Sequence, residues 1–97
     1  MSPAHILVVD DEADIRSTIS DILTDEGYAV TVAGDAADAR REVQRAAPDL
    51  ILLDVWMPDI DGITLLREWT DAGTPDCPVV ILSGHGTVET AVEATRL

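Results

Sequence analysis

The chain has 97 residues, with 19 acidic side chains against six basic ones, a formal net charge of -13 and a hydrophobic fraction of 46%. That apolar content argues against a disordered segment and allows one modest domain. The acidity argues against direct binding to nucleic acid or an anionic membrane, since such a surface repels phosphate.

All six basic residues are arginines (Arg16, Arg40, Arg41, Arg45, Arg67 and Arg96), and Cys77 is the single cysteine. No intrachain disulfide can form, which fits a reducing compartment, and Cys77 reads as a small apolar residue. No apolar run reaches the length of a bilayer span. The start, Met1-Ser2-Pro3-Ala4, carries no signal peptide. These features together predict a cytoplasmic protein.

Short apolar runs alternate with longer amphipathic ones. His5-Ile6-Leu7-Val8-Val9 is continuously apolar and β-branched, as a strand covered on both faces should be, with His5 at its exposed edge. It ends at Asp10-Asp11-Glu12. A helix follows with Asp11 or Glu12 near its positive end, Ile15, Ile19, Ile22 and Leu23 at helical spacing, and Gly27 as its stop. Tyr28 to Ala33 reads as a second strand. Asp35 is a good N-cap for a second helix through Ala39, Val43 and Ala46, closed by Pro48.

Leu50-Ile51-Leu52-Leu53 is the strongest strand signal and ends at Asp54. The loop Val55 to Gly62 leads to a third helix that carries Ile63, Leu66 and Trp69 inward and ends at Gly73 and Pro75. Val79-Val80-Ile81-Leu82 is a fourth strand ending at Ser83. After Gly84-His85-Gly86, Thr87 can cap a fourth helix containing Val88, Ala91, Val92 and Ala94; His85 reads as a solvated loop residue. Four strands alternate strictly with four helices. With right-handed crossovers that is an open α/β sheet covered on both faces.

In a parallel sheet the carboxyl ends of all strands share one edge, where such folds bind ligands. Asp10 and Asp11, Asp54 and Ser83 would therefore line one shallow cleft. Carboxylates that close repel one another unless something compensates. No basic side chain is near them in sequence, so a hard divalent cation, Mg²⁺ or Mn²⁺, is expected; it takes oxygen ligands and keeps several waters. The competing role for these aspartates is capping of the helices that follow. It suits Asp11 better than Asp54, whose helix starts several residues later. An Asp beside a metal can also attack phosphorus, and phosphoryl transfer needs positioning and charge neutralisation above all.

Three motifs now stand in order: ILVVDDE with Asp10-Asp11, LILLDVWMPDIDG with Asp54, Pro58 and Gly62, and PVVILSGHG with Ser83. Together they are specific, and the chain resembles a response-regulator receiver domain of two-component signalling along essentially its whole length. The resemblance implies a flavodoxin-like open parallel sheet of strand order 2-1-3-4, with residues 1–97 forming a receiver that lacks the usual fifth βα unit. It implies that Asp54 is the phosphoacceptor, charged by a sensor histidine kinase. Mg²⁺ (or Mn²⁺) would be held by Asp10, Asp11, Asp54 and the backbone carbonyl of Trp56. Ser83 would be the hydroxyl that turns toward the phosphoryl group, and Pro58 and Gly62 would shape the loop. Such a domain is a phosphoacceptor that assists its own phosphorylation and dephosphorylation, rather than an enzyme, and controls an output domain. The stretch SGHGT with TVETAV is similar to the nitrogen-regulation type, so that output is expected to be transcription-regulatory.

The family's fifth strand, its fifth helix and the lysine at the end of that strand have no counterpart here, and the chain has no lysine at all. The expectation is a fragment of a longer regulator, with slower phosphoryl transfer, broken output, and self-association through the exposed edge of the fourth strand. Two other classes compete. A receiver-like module that is never phosphorylated would act by dimerising. A Mg²⁺-dependent phosphohydrolase with an Asp nucleophile, of the haloacid-dehalogenase type, would want a second Asp two residues after the first, where Trp56 stands.

Overall fold

The computed structural model describes residues 3–55, 57 and 59–82. The expected fourth helix lies outside them, as do Ser83, His85, Trp56 and Pro58. The elements run β1 (His5–Val9), α1 (Ala13–Asp25), β2 (Ala29–Ala33), α2 (Ala36–Arg45), β3 (Leu50–Asp54), α3 (Gly62–Ala72) and β4 (Val79–Leu82). The four strands form one parallel sheet in the order β2-β1-β3-β4, as expected.

The helix ends follow local chemistry. Asp35 precedes α2 and accepts a hydrogen bond from the Asp38 amide at 2.8 Å. Asp61 does the same for α3, accepting from the Thr64 amide at 2.8 Å and from the Thr64 hydroxyl at 3.0 Å. Each satisfies a donor that the first helical turn leaves without a partner. At the other end of α1, Gly27 has φ +95°, its amide donates to Thr24 O and the Tyr28 amide donates to Leu23 O. That is a Schellman ending, which needs a left-handed residue. Gly73 ends α3 in the same region, at φ +74°.

Side chains alternate across each strand, so the sheet has two distinct faces. One face contributes Leu7, Val9, Ala33, Ile51, Leu53, Val79 and Ile81 to the hydrophobic core. Ala36 and Ala39 of α2 and Leu65, Leu66 and Trp69 of α3 close over it, with Cys77 and Ile63 packed at its margin. Ala36 and Ala39 are fully buried, because small side chains let α2 sit close to the sheet, whereas Ala46 at the end of the expected stripe is half-buried. Burial pushes the Cys77 thiol pKa up, with Asp49 and Asp76 adding to the effect, so it is an apolar filler rather than a reactive thiol. Arg40 of α2 and Glu68 of α3 pair through two 2.8 Å bonds on the outside.

The other face carries Ile6 and Val8, both buried, and α1 lies along β1 and β2. Here the expectation needs correcting. The stripe of α1 is apolar as read, yet the helix contains no buried residue, and Ile15 and Ile22 are exposed. His5 is also corrected: it is half-buried, and its Nε2 lies 2.7 Å from the Thr31 hydroxyl on β2. Strand β2 begins at Ala29, one residue later than expected, with Tyr28 exposed. No helix among the described residues is long and apolar enough to cross a membrane.

Candidate functional site

The carboxyl edge of the sheet gathers the acidic residues. Asp10 follows the last residue of β1, and Asp54 ends β3 in register with Leu82 of β4. Asp10, Asp11 and Asp54 each offer a carboxylate oxygen, and these atoms lie within 4.8 Å of one another. Asp10 and Asp54 are buried, whereas Asp11 is exposed. Two of the three donor residues are therefore shielded from solvent and the third faces it. Oxygen donors in that arrangement fit a hard divalent cation that retains water.

Backbone and side-chain bonds hold each donor. The Asp10 amide donates to Ala33 O at 3.1 Å, tying the end of β1 to the end of β2. Its Oδ1 accepts from the Glu12 amide at 2.9 Å, which aims the carboxylate along the turn into α1. Glu12 stands at the N-cap of α1 but makes no side-chain capping bond, unlike Asp35 at the start of α2. Beyond Asp54, the Gly62 amide donates to Val55 O at 2.7 Å, folding the loop back on itself. A β-carbon at Gly62 would run into the Asp54 carbonyl oxygen and crowd Val55 Cα at 3.0 Å, so this close approach requires glycine.

Three residues at this edge escaped the sequence reading. Arg16 corrects the expectation that no basic side chain is near: its Nη1 donates to the Asp10 carbonyl at 2.6 Å. The contact is to the backbone carbonyl rather than to a carboxylate oxygen. Arg16 also packs against Gly34, where a β-carbon would stand 3.1 Å from Nη1. Spacing could have placed Arg16 one turn into α1, but not aimed it backward. Asp61 was legible as an N-cap, since Asp before the helical run of Ile63 to Trp69 is the ordinary signal. Asp59 had no local signal: its carboxylate accepts from the amides of Ala36 and Ala37, both at 3.1 Å, on a helix more than 20 residues earlier.

Of the residues singled out from sequence, Asp10, Asp11 and Asp54 come together and Gly62 sits against Asp54. Trp56, Pro58 and Ser83 lie outside the described residues. The family model of the response regulator receiver domain matches residues 6–97. The chain belongs to this family. The flavodoxin-like architecture of the receiver domain is the one seen here, with the strand order 2-1-3-4.

Among its relatives, the nitrogen assimilation regulatory protein NtrX of Azorhizobium caulinodans is 46% identical over 96% of this chain and 21% of its own length. The transcriptional regulatory protein GlrR of Escherichia coli is 38% identical over 97% of this chain and 21% of its own length. The chain thus spans about a fifth of the length of these relatives. Among solved structures, the receiver domain of NtrX from Brucella abortus superposes with a TM-score of 0.81 at 47% identity, covering 94% of this chain and 77% of that one. A beryllofluoride-activated NtrC4 receiver domain dimer gives 0.81 at 40% identity, covering 95% and 75%. The resemblance to the nitrogen-regulation type is therefore borne out at the level of the receiver. A phosphoacceptor signalling domain, and not an enzyme in the ordinary sense, is what this family membership supports.

Proposed function

We propose that this receiver accepts a phosphoryl group on Asp54 from a sensor histidine kinase, with Mg²⁺ (or Mn²⁺) held by Asp10, Asp11 and Asp54, and that the state of Asp54 controls a transcription-regulatory output domain. The observation that carries this reading is the convergence of three carboxylate oxygens within 4.8 Å at the carboxyl edge of the sheet. A carboxylate oxygen of Asp54 forms the new bond to phosphorus. The P–N bond of the phosphohistidine breaks, and its electron pair returns to the imidazole. The product is an acyl phosphate on Asp54.

The cation would neutralise charge on the carboxylates and the transferring group. Asp10 and Asp11 would bind it, with Asp10 held in place by the Glu12 amide and Arg16. The backbone carbonyl of Trp56 would complete its protein ligands, and the hydroxyl of Ser83 would bond a phosphoryl oxygen. Pro58 and Gly62 would set the course of the loop between them. Residues 1–97 form the receiver portion, and the cytoplasm is where a kinase-linked regulator of this kind works. Self-association, by the edge of β4 or by another face, is supported by the dimer formed by the activated NtrC4 receiver.

Intact mass after incubation with Mg²⁺ and acetyl phosphate, run beside Asp54→Asn, tests the reading. The expected result is a gain of one phosphoryl group that the variant lacks and that chelation of the metal prevents. No gain in a folded chain overturns it and favours a module that acts by dimerising alone. Continuous release of phosphate from small esters would instead point to a hydrolase.

A further inference from the structure

The start of α2 is bound by two carboxylates, not one. Asp35 already caps the helix by accepting from the Asp38 amide at 2.8 Å. Of the neighbouring donors, Ala37 lies at the protein surface, where water could serve its amide, whereas Ala36 is buried. Both bond to Asp59, one oxygen each, at 3.1 Å. The same Asp59 carboxylate accepts from the Ile60 amide at 3.0 Å, within its own loop. Burial pushes the Asp59 pKa up, but the amides of Ala36, Ile60 and Ala37 outweigh it and hold the group below the usual carboxylate range. The side chain is therefore a charged clasp between the loop after Asp54 and α2.

The clasp closes a ring. The residues just before α2 are tied to β1: Ala33 O accepts from the Asp10 amide at 3.1 Å, and Arg16 packs on Gly34 while holding the Asp10 carbonyl. Asp10 and Asp54, which face each other in the cluster, are thus also joined from behind, through Asp10, Ala33, the α2 start, Asp59 and the loop back to Asp54. We infer that Asp59 is a positioning residue for the phosphoryl and metal pocket, fixing the loop after Asp54 against the turn that carries Asp10. The inference rests on the phosphoacceptor reading. The loop it holds joins Asp54 to α3, so slack in it would misplace the Asp54 carboxylate.

The test compares Asp59→Ala with Asp35→Ala, since both remove a carboxylate from the α2 start but only the first releases the loop. Mg²⁺ affinity by calorimetry and the rate of phosphoryl uptake from acetyl phosphate are measured well below the melting temperature of each variant. Asp59→Ala is expected to weaken Mg²⁺ binding on the order of ten-fold, the low end for a residue that orients metal ligands, and to slow uptake by about ten-fold at saturating Mg²⁺. Asp35→Ala should lower the melting temperature and leave both readouts at the wild-type level. Asp59→Asn, which keeps one accepting oxygen, should recover part of the loss. If Asp59→Ala matches wild type, or Asp35→Ala shows the same losses, Asp59 is a helix cap only and the inference is overturned. If the folded wild-type chain takes up no phosphoryl group, the phosphoacceptor reading fails instead, and this inference with it.

Discussion

On one side of the sheet, Leu65, Leu66 and Trp69 of α3 and two alanines of α2 close over seven strand residues, and Leu65 has no exposed surface. On the other side, α1 covers Ile6 and Val8 but leaves Ile22 57% exposed, Val32 44% and Val80 36%. Both faces come from strands of the same composition, so the contrast lies in what is laid over them. Among the described residues, packing stability is concentrated on the α2–α3 side. The acidic cluster straddles the two: Asp10 and Asp11 enter the turn to α1, while Asp54 leads to α3. A pocket built at that junction depends on loops anchored to elements of unequal stability, which gives ties such as Arg16 and Asp59 their importance.

The largest effect should come from the sealed face. Leu65→Ala removes a fully buried side chain from a core that cannot collapse around it, and should cost about 2–5 kcal/mol. Urea unfolding followed by far-UV circular dichroism measures it. A loss under about 1 kcal/mol would mean that this face is not the seat of stability and would erase the comparison.

Much of this architecture could be read from the residues. The strands announced themselves as apolar runs ending in Asp10, Asp54 and Leu82, and strict alternation with helices implies parallel order, so the shared acidic edge followed. Asp35 and Gly73 marked helix ends through chemistry local to a few residues. What escaped was long-range or depended on occupancy. The bond from Asp59 to Ala36 and Ala37 joins segments with no sequence link. Arg16 reaches back toward β1, where helical spacing alone says nothing of direction. The exposure of Ile15 and Ile22 was hidden because periodicity reports which side of a helix is apolar, not whether anything covers it.

A smaller effect belongs to the helix entry beside the pocket. The Asp61 carboxyl is held below its usual pKa by the Thr64 amide first, then by the Thr64 hydroxyl, the Ile63 amide and the charge of Arg67, against the opposing pull of burial. A lowered folded-state pKa means stability that is present above the unfolded value of about 3.9 and lost as pH falls through the folded value. Asp61→Ala should therefore cost about 1 kcal/mol at neutral pH. As pH falls below the usual carboxylate range its difference from wild type should shrink. Thermal melts across that range check both. A penalty that persists undiminished in acid would assign the loss to packing around α3 rather than to the carboxylate.

The smallest effect is expected on the open face, and it decides how open that face is. Ile22 is more than half exposed, so Ile22→Gln should change stability by no more than about 0.5 kcal/mol, since the substitution gives up little burial and suits a helix surface. The measurement is the same urea titration used for Leu65→Ala, repeated at several protein concentrations. A small, concentration-independent change keeps the two faces distinct. A loss of several kcal/mol that shrinks with dilution would mean that Ile22 is covered in solution by a second copy of the chain, because the wild type would then draw stability from an intermolecular contact, and such a contact weakens as the protein is diluted. The α1 face, rather than the edge of β4, would then be where copies meet.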